Sequence, residues 1–341
     1  MGVNLTPIII REFTDLASLS GRSFAVDAFN VLYQFLALIR TREGTPLTDG
    51  EGRVTSHLVG LAFRTTRLIS QYRMSLVFVF DGRSPTLKRA EIEKRGALKR
   101  KAEEEYVRAV EAGDYAKAFS KAVQTSRLSY DMVGDAKRLL DLLGIPWVQA
   151  PGEGEAQAAH IAARGDVWAA SSRDYDALLF GAPRLVRYLT IQGQEWLPSK
   201  GRARRLHPEV IDLDRFLSEH GLTREQLVDL AILVGTDFNE GIKGIGPKTA
   251  LKLLRSHGRL EEMPGKVTEK LPDTVDQIRE IYLRPEVTDD YGVEEGPLRE
   301  EELVSFLCDE RAFSRERVDT VISRMRQSRA QRSLSYWIGG L

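Results

Sequence analysis

The chain has 341 residues, 42% of them hydrophobic, enough for one large α/β domain or two ordinary ones with a substantial core. Lys plus Arg and Asp plus Glu both number 49, so net charge is zero and any charged function must come from local clustering. The one cysteine, Cys308, excludes an intramolecular disulfide framework and a thiolate zinc site and fits a reducing compartment, and no apolar run approaches the roughly 20 residues of a membrane span.

Residues 23–29 (SFAVDAF) read as a buried strand holding an acid, and 30–40 as a helix with Tyr33 near its start. Residues 44–52 form a polar loop, and 53–72 carry helical periodicity. Residues 75–81 (SLVFVFD) are the clearest strand, a β-rich apolar run closed by Asp-Gly. Residues 85–110 are long, charged and helix-favouring, and 113–127 form a second helical stretch. An amphipathic helix follows at 129–143 and a strand at 145–149. The stretch 151–181, PGEGEAQAAHIAARGDVWAASSRDYDALLFG, supplies a small-residue helix, a short strand and an acidic loop, with another strand near 185–189. Strands alternating with helices predict an α/β fold with a twisted, mostly parallel sheet. After Gly201 the pattern is helical: 223–234, a break at GTDF (235–238), a tight GIKGIG loop (241–246), and a helix at 247–257. An acidic connector (287–297), helices at 300–309 and 314–329, and an apolar-aromatic tail complete the chain.

Seven acids stand out: Asp27, Asp81, Glu153, Glu155, Asp174, Asp176 and Asp237. Any one alone is an ordinary helix cap or solvated turn. Together they fall at or near strand ends, where ligands gather in a parallel sheet. On a helix, i and i+2 diverge, so Glu153 and Glu155 must sit at an entry turn beside Gly152 and Gly154. On an extended segment i and i+2 share a face, so Asp174 and Asp176 are expected to aim together from an extended loop. So many close carboxylates need a cation, and oxygen-only donors suit hard Mg²⁺. Two ions roughly 4 Å apart would suit attack of water on a phosphodiester.

Phosphate would need cations near these acids. Lys88 and Arg95, seven apart on one helix face, are candidates to grip it. GIKGIGPKTALKLL, with Lys243, Gly244, Gly246 and Lys248, has the form of a helix-hairpin-helix that holds DNA backbone through N–H groups. Tyr33 is placed to stack on a base. Gln331, Leu334, Trp337 and Ile338 form a Q-x-x-L-x-x-W-I pattern that suggests a docking peptide.

With AVDAFNVLYQFL (25–36), TSHLVGLAFRT (55–65), VFVFDG (77–82), PGEGEAQAA (151–159), SRDYDALLFG (172–181) and VGTDFNEGIKGIGPKTAL (234–251), the chain closely resembles the archaeal flap endonucleases among the structure-specific 5′ nucleases, over essentially its whole length. The resemblance implies a single nuclease domain over 1–328: an N-terminal region to about 98, a helical arch over the active site at about 85–129, an internal region at about 115–258 that includes the hairpin at 238–257, and C-terminal helices at 259–328. Residues 329–341 would be a sliding-clamp-binding tail. It assigns Asp27, Asp81, Glu153 and Glu155 to one Mg²⁺ and Asp174, Asp176 and Asp237 to the other, with Mn²⁺ as a substitute. A monovalent cation would sit at the hairpin. Lys88, Arg95 and Asp176 become catalytic. Gly2, Tyr33, Arg40, Arg64, Glu153, Gly235 and Asp237 join the hairpin residues in contacting DNA. The implied protein is a monomeric, cytoplasmic, nucleoid-associated enzyme that removes replication primers and 5′ flaps and acts in long-patch base-excision repair. Gly152 and Arg173 stand where serine and glutamine are common, and Trp337-Ile338 where two aromatics are frequent. Arg173 is expected to put a cation beside the second carboxylate pair. Two rival readings are a relative with another substrate, either a processive exonuclease or a bubble-cutting repair nuclease, the latter disfavoured by the short arch and compact length, and a non-catalytic clamp-docking scaffold, which has no use for seven acids.

Overall fold

A computed structural model describes residues 2–41, 44–112, 114, 121, 125, 127–191, 193–197 and 202–339, with the side chains of 110, 193–197, 202–205 and 332–339 outside that description. The sheet is built on strand β2 (Ser23–Asp27), flanked by the parallel strands β3 (Ser75–Phe80) and β5 (Ala169–Ser171). Strand β4 (Trp147–Gln149) extends it beyond β3, and β6 (Arg184–Arg187) beyond β5, both parallel. Two antiparallel strands, β9 (Glu209–Asp212) and β1 (Glu12–Phe13), close the β6 edge, giving the seven-stranded order β1-β9-β6-β5-β2-β3-β4. The chain steps from β2 to β3 and β4 on one side, then returns to place β5 on the other. That reversal leaves a crevice at the carboxyl ends of β2 and β5, the preferred ligand position of an open α/β sheet.

Side-chain alternation sorts the core onto two faces. Phe24, Val26, Leu76, Phe78 and Phe80 point to one face; Ala25, Val77 and Val79 point to the other. The Phe-rich face is covered by helices α1 (Ala28–Leu38), α2 (Ser56–Gly60), α3 (Thr66–Tyr72), α5 (Tyr130–Leu143) and α11 (Arg315–Gly339). The opposite face, of smaller residues, is covered by α6 (Gly154–Ala163), α7 (Asp176–Leu179), α8 (Arg224–Val234), α9 (Pro247–His257) and α10 (Val275–Leu283). A large apolar side chain buried in this way contributes about 1.5–3 kcal/mol.

Several local expectations change. The strand expected over 23–29 is β2 and ends at Asp27, because Asp27 already caps α1 by accepting from Asn30 N at 3.0 Å. The helix expected over 53–72 is interrupted by a π-helical turn at Leu61–Thr65. The helical reading after Gly201 is wrong at its start. Strand β7 (Gly193–Leu197) pairs antiparallel with β8 (Arg202–Leu206), and β9 follows. Neither RARRL nor EVID shows apolar alternation, so tertiary pairing rather than patterning makes them strands. The arch begins as a 3₁₀ turn at Thr86–Lys88 and continues as α4 (Arg89–Glu111); most of the second stretch, 113–127, lies outside the described residues. The proposed division at 328/329 falls within α11, which runs on as helix to Gly339.

Gly60 shows how tightly α1 and α2 pack. A β-carbon there would lie 2.2 Å from the ring of Phe35, which is fully buried. Gly60→Ala is therefore expected to destabilise the protein by about 1–3 kcal/mol through overpacking, read as a lower midpoint in denaturant unfolding; an unchanged or raised midpoint would contradict this packing.

Candidate active site

The seven acids come from both sides of the crevice. Asp27 ends β2, and Asp81 follows β3. Asp81 Oδ1 accepts from Gly154 N at 2.7 Å, tying the β3 end to the start of α6. Glu153 is the N-cap residue of α6, and Glu155 lies in its first turn. Gly154 is required by proximity more than by backbone freedom, since a β-carbon there would lie 2.6 Å from Asp81 Oδ1. Asp174 and Asp176 do not share an extended segment. Tyr175 between them has helical dihedrals, and Asp176 opens α7. They are neighbours because the chain turns there. Asp237 lies in the break after α8 and is mostly buried.

Burial and mutual repulsion dominate the electrostatics. Asp27 is pushed up to about 8 by burial, with the charges of Asp81 and Asp174 adding to it. Asp81 rises to about 6 by burial and then Glu153. Asp176 rises to about 7 by burial, then Asp237 and Asp174. Glu155 is raised well above the usual range by burial, then Asp176, Asp27 and Asp174. These couplings join all seven acids. Asp237 goes the other way: burial would raise it, but neighbouring positive charge, Arg95 and Lys88 included, holds it low.

Two cations reach into this acid from the arch. The Lys88 ammonium pairs with Glu153 and lies 3.5 Å from Asp237 Oδ2. Arg95 Nη2 lies 2.5 Å from Asp237 Oδ1, with its Nε braced by Glu91 at 2.9 Å. Further along α4, the Lys99 ammonium stands 4.8 Å over the ring of Tyr33, whose side chain is partly exposed. Gly2 packs directly on the site, where a β-carbon would lie 2.1 Å from Asp176 Oδ1, and Val3 N donates to that oxygen at 2.8 Å.

Arg40 spends hydrogen bonds on the carbonyls of Leu36 (3.1 Å) and Gly44 (2.7 Å), and Arg64 on that of Thr190 (3.2 Å). The hairpin joins α8 to α9 through Gly235 (φ 108°) and Gly241 (φ 72°); at Gly241 a β-carbon would meet Val234 backbone at 2.4 Å. Helix α9 starts at Pro247 with Gly246 as N-cap, so no side chain covers its first amides, and Lys243 and Lys248 are exposed around it. The Arg173 side chain is exposed; its backbone N donates to Asn30 Oδ1 at 3.3 Å, and its carbonyl accepts from Arg187 Nε at 2.7 Å. Gln331 is on α11, and the side chains of Leu334, Trp337 and Ile338 lie outside the described residues.

Among the described residues no group of three or more His, Cys, Asp or Glu side chains is arranged to hold a metal ion as it stands. The donor chemistry nevertheless fits a hard divalent ion. Ser172 Oγ lies 3.1 Å from Asp27 Oδ2 and 2.8 Å from Glu155 Oε1. One hydroxyl proton cannot serve both, so the second contact takes either a carboxyl proton or a cation.

An XPG N-terminal domain model matches residues 1–102, and an XPG I-region model matches 144–237. Flap endonuclease 1 of Caldivirga maquilingensis is 48% identical over 328 residues, 95% of this chain and 93% of that protein. The chain belongs to the flap endonuclease family. Flap endonuclease 1 of Methanopyrus kandleri is 49% identical over 331 residues, 95% of this chain and 94% of its own. The solved flap endonuclease-1 from Methanococcus jannaschii matches with a TM-score of 0.77 and 38% identity, over 97% of this chain and all of that one.

Sequence reasoning did not single out Ser172 or Asn30. Asn30 Nδ2 donates to Asp174 Oδ2 at 3.5 Å and its backbone N donates to Asp27 Oδ1 at 3.0 Å, so it links the two halves of the site. The signal was present: Asn30 stands three residues after Asp27, and Ser172 two residues before Asp174.

The raised acids give a sign to the pH dependence. Their folded values lie above the unfolded value of about 4, so without metal their ionisation costs stability progressively from about pH 4 to about pH 8. Mg²⁺ is expected to raise Tm, with a gain that grows from about pH 5 to about pH 8 and reaches about 2.7 kcal/mol at 100-fold excess over its Kd. Thermal denaturation with Mg²⁺ and with EDTA checks this; a gain that is flat, or larger at low pH, would contradict it.

Proposed function

We infer that this chain is a structure-specific 5′ flap endonuclease with 5′→3′ exonuclease activity, leaving 5′-phosphate and 3′-hydroxyl ends. The observation that carries the reading is the meeting of seven carboxylates and two arch cations at the carboxyl ends of parallel strands, in a chain of the flap endonuclease family. The substrate is branched DNA of the kind a polymerase makes when it displaces a downstream strand. Removal of replication primers and long-patch base-excision repair follow. No described helix is long and apolar enough to cross a membrane, and a place at the nucleoid in the cytoplasm is part of this reading.

Asp27, Asp81, Glu153 and Glu155 would hold one Mg²⁺, and Asp174, Asp176 and Asp237 a second. Bound there, such ions supply Lewis acidity at a phosphoryl oxygen and make a water acidic enough to serve as nucleophile near neutral pH. The chain's own residues do the rest. Lys88 and Arg95, which pair here with Glu153 and Asp237, would turn from them to the scissile phosphate and offset its developing charge. Tyr33 supports the base beside it, while Arg40 and Arg64 contact the duplex. Gly2, Gly235 and the N–H groups of the hairpin approach the backbone, with Lys243 and Lys248 adding charge and a monovalent cation at Gly244–Gly246. The protein acts as a monomer.

Asp176→Asn keeps shape and removes charge. It is expected to slow cleavage of a 5′-flap duplex by ~100-fold or more, the scale of one lost preorganised contact, while flap binding by gel shift persists. Metal-dependent cutting at the wild-type rate would sink the site assignment, and a flap bound but never cut by the unaltered chain would favour a scaffold.

The tail, with Gln331, Leu334, Trp337 and Ile338, is the proposed docking segment for a DNA sliding clamp. Removing residues 331–341 is expected to leave intrinsic cleavage within about 2-fold and abolish stimulation by the clamp; undiminished stimulation would refute the docking role.

A further inference from the structure

Arg187, the last residue of β6, is a buried cation outside the seven-acid cluster and the arch. Its register partner on antiparallel β9 is Glu209, and both are almost fully buried. Arg187 Nη1 donates to Glu209 Oε2 at 2.8 Å and to Tyr175 Oη at 2.7 Å, and Nη2 donates to Tyr188 Oη at 3.1 Å. The guanidinium lies 4.2 Å from the centre of the Tyr175 ring and 4.9 Å from that of Tyr188. Its Nε donates to the backbone carbonyl of Arg173 at 2.7 Å. Four hydrogen bonds and two rings therefore fix one planar group, and two of those bonds end on residues that alternate with Asp174 and Asp176.

The arrangement is costly as a mere stabiliser. A buried ion pair is often no better than well-packed apolar side chains. Tyr188 also sits at φ 61°, a left-handed conformation that a bulky residue adopts only when its surroundings impose it. Both costs fall where they lock the side chain that holds the 173–175 backbone. A planar fork with donors in three directions can brace a carbonyl, a phenol and a carboxylate at once, which a lysine cannot.

We propose that Arg187 is a positioning residue for the nuclease reaction: held by Glu209, Tyr175 and Tyr188, it fixes the turn between β5 and α7 and so sets the separation and aim of Asp174 and Asp176 toward the divalent cation they share. The inference rests on the functional reading above, in which these two acids are metal ligands. Its consequence is that Arg187 governs metal dependence without touching DNA or metal.

The test uses the full chain with Arg187→Lys, Tyr175→Phe and Arg11→Ala. Arg11 reaches the same Glu209 carboxylate, at 3.4 Å, but does not touch the loop. Three quantities are read: the Mg²⁺ dependence of single-turnover flap cleavage, the rise in Tm that Mg²⁺ gives without DNA, and flap binding in EDTA. Arg187→Lys is expected to raise the Mg²⁺ concentration for half-maximal rate by about 10–100-fold, as loss of a ligand-orienting contact does. It is also expected to shrink the Mg²⁺-induced rise in Tm and leave flap binding within about 2-fold of wild type. Tyr175→Phe moves the same quantities less, and Arg11→Ala leaves the Mg²⁺ dependence alone. A wild-type Mg²⁺ dependence in folded Arg187→Lys, or an equal change in Arg11→Ala, overturns the proposal. If Arg187→Lys does not fold, Tyr175→Phe decides by the same criterion. An unaltered chain that never cuts flaps refutes the functional reading instead, and the Mg²⁺-induced change in Tm still decides the role of Arg187.

Discussion

The structure depends on repulsion that folding does not relieve. Packing of the sheet brings Asp27, Asp81, Glu155 and Asp176 out of water and within range of one another and of the other three acids. Burial penalises each charge, and neighbouring charges penalise it again. Hydrogen bonds from Asn30, Gly154, Ser172 and Val3 soften the cost, but neutral donors do not cancel net charge. What completes the site is positive charge from elsewhere. Part is built in, as Lys88 and Arg95 on the arch, and in the proposed function the rest would come from divalent ions.

The fold explains how such a costly site is tolerated. The acids stand on the ends of parallel strands whose two faces are closed by separate apolar clusters, so the frame is secured away from the crevice. Close contacts then leave little latitude. Gly2 and Gly154 each sit where any side chain would strike an acid, and Gly241 where one would strike backbone. The arch is different in kind. Its helix is rich in charge, and its contacts with the body include ion pairs from Lys88, Lys94 and Arg95, which a competing phosphate can exchange.

How much was legible in the sequence follows from where the information resides. SLVFVF is buried on both faces, so its apolar run marks a strand unaided. EVID is short and half polar, and only its pairing with β6 and β1 makes it one. The seven acids were legible because each stands beside a recognisable strand end, helix entry or glycine turn. The aim of Asp174 and Asp176 was not, because the helical backbone of Tyr175 is set by packing rather than by spacing. Arg187 and Glu209 were invisible for the same reason: 22 residues separate two ordinary charged side chains that only the antiparallel register makes partners.

The central claim is that these carboxylates are held together for divalent cations. The most direct measurement is anomalous diffraction from crystals soaked in Mn²⁺. Anomalous density is expected in the crevice bounded by Asp27, Asp81, Glu153, Glu155, Asp174, Asp176 and Asp237. A crevice without density at saturating Mn²⁺, or ions bound only elsewhere, would contradict it.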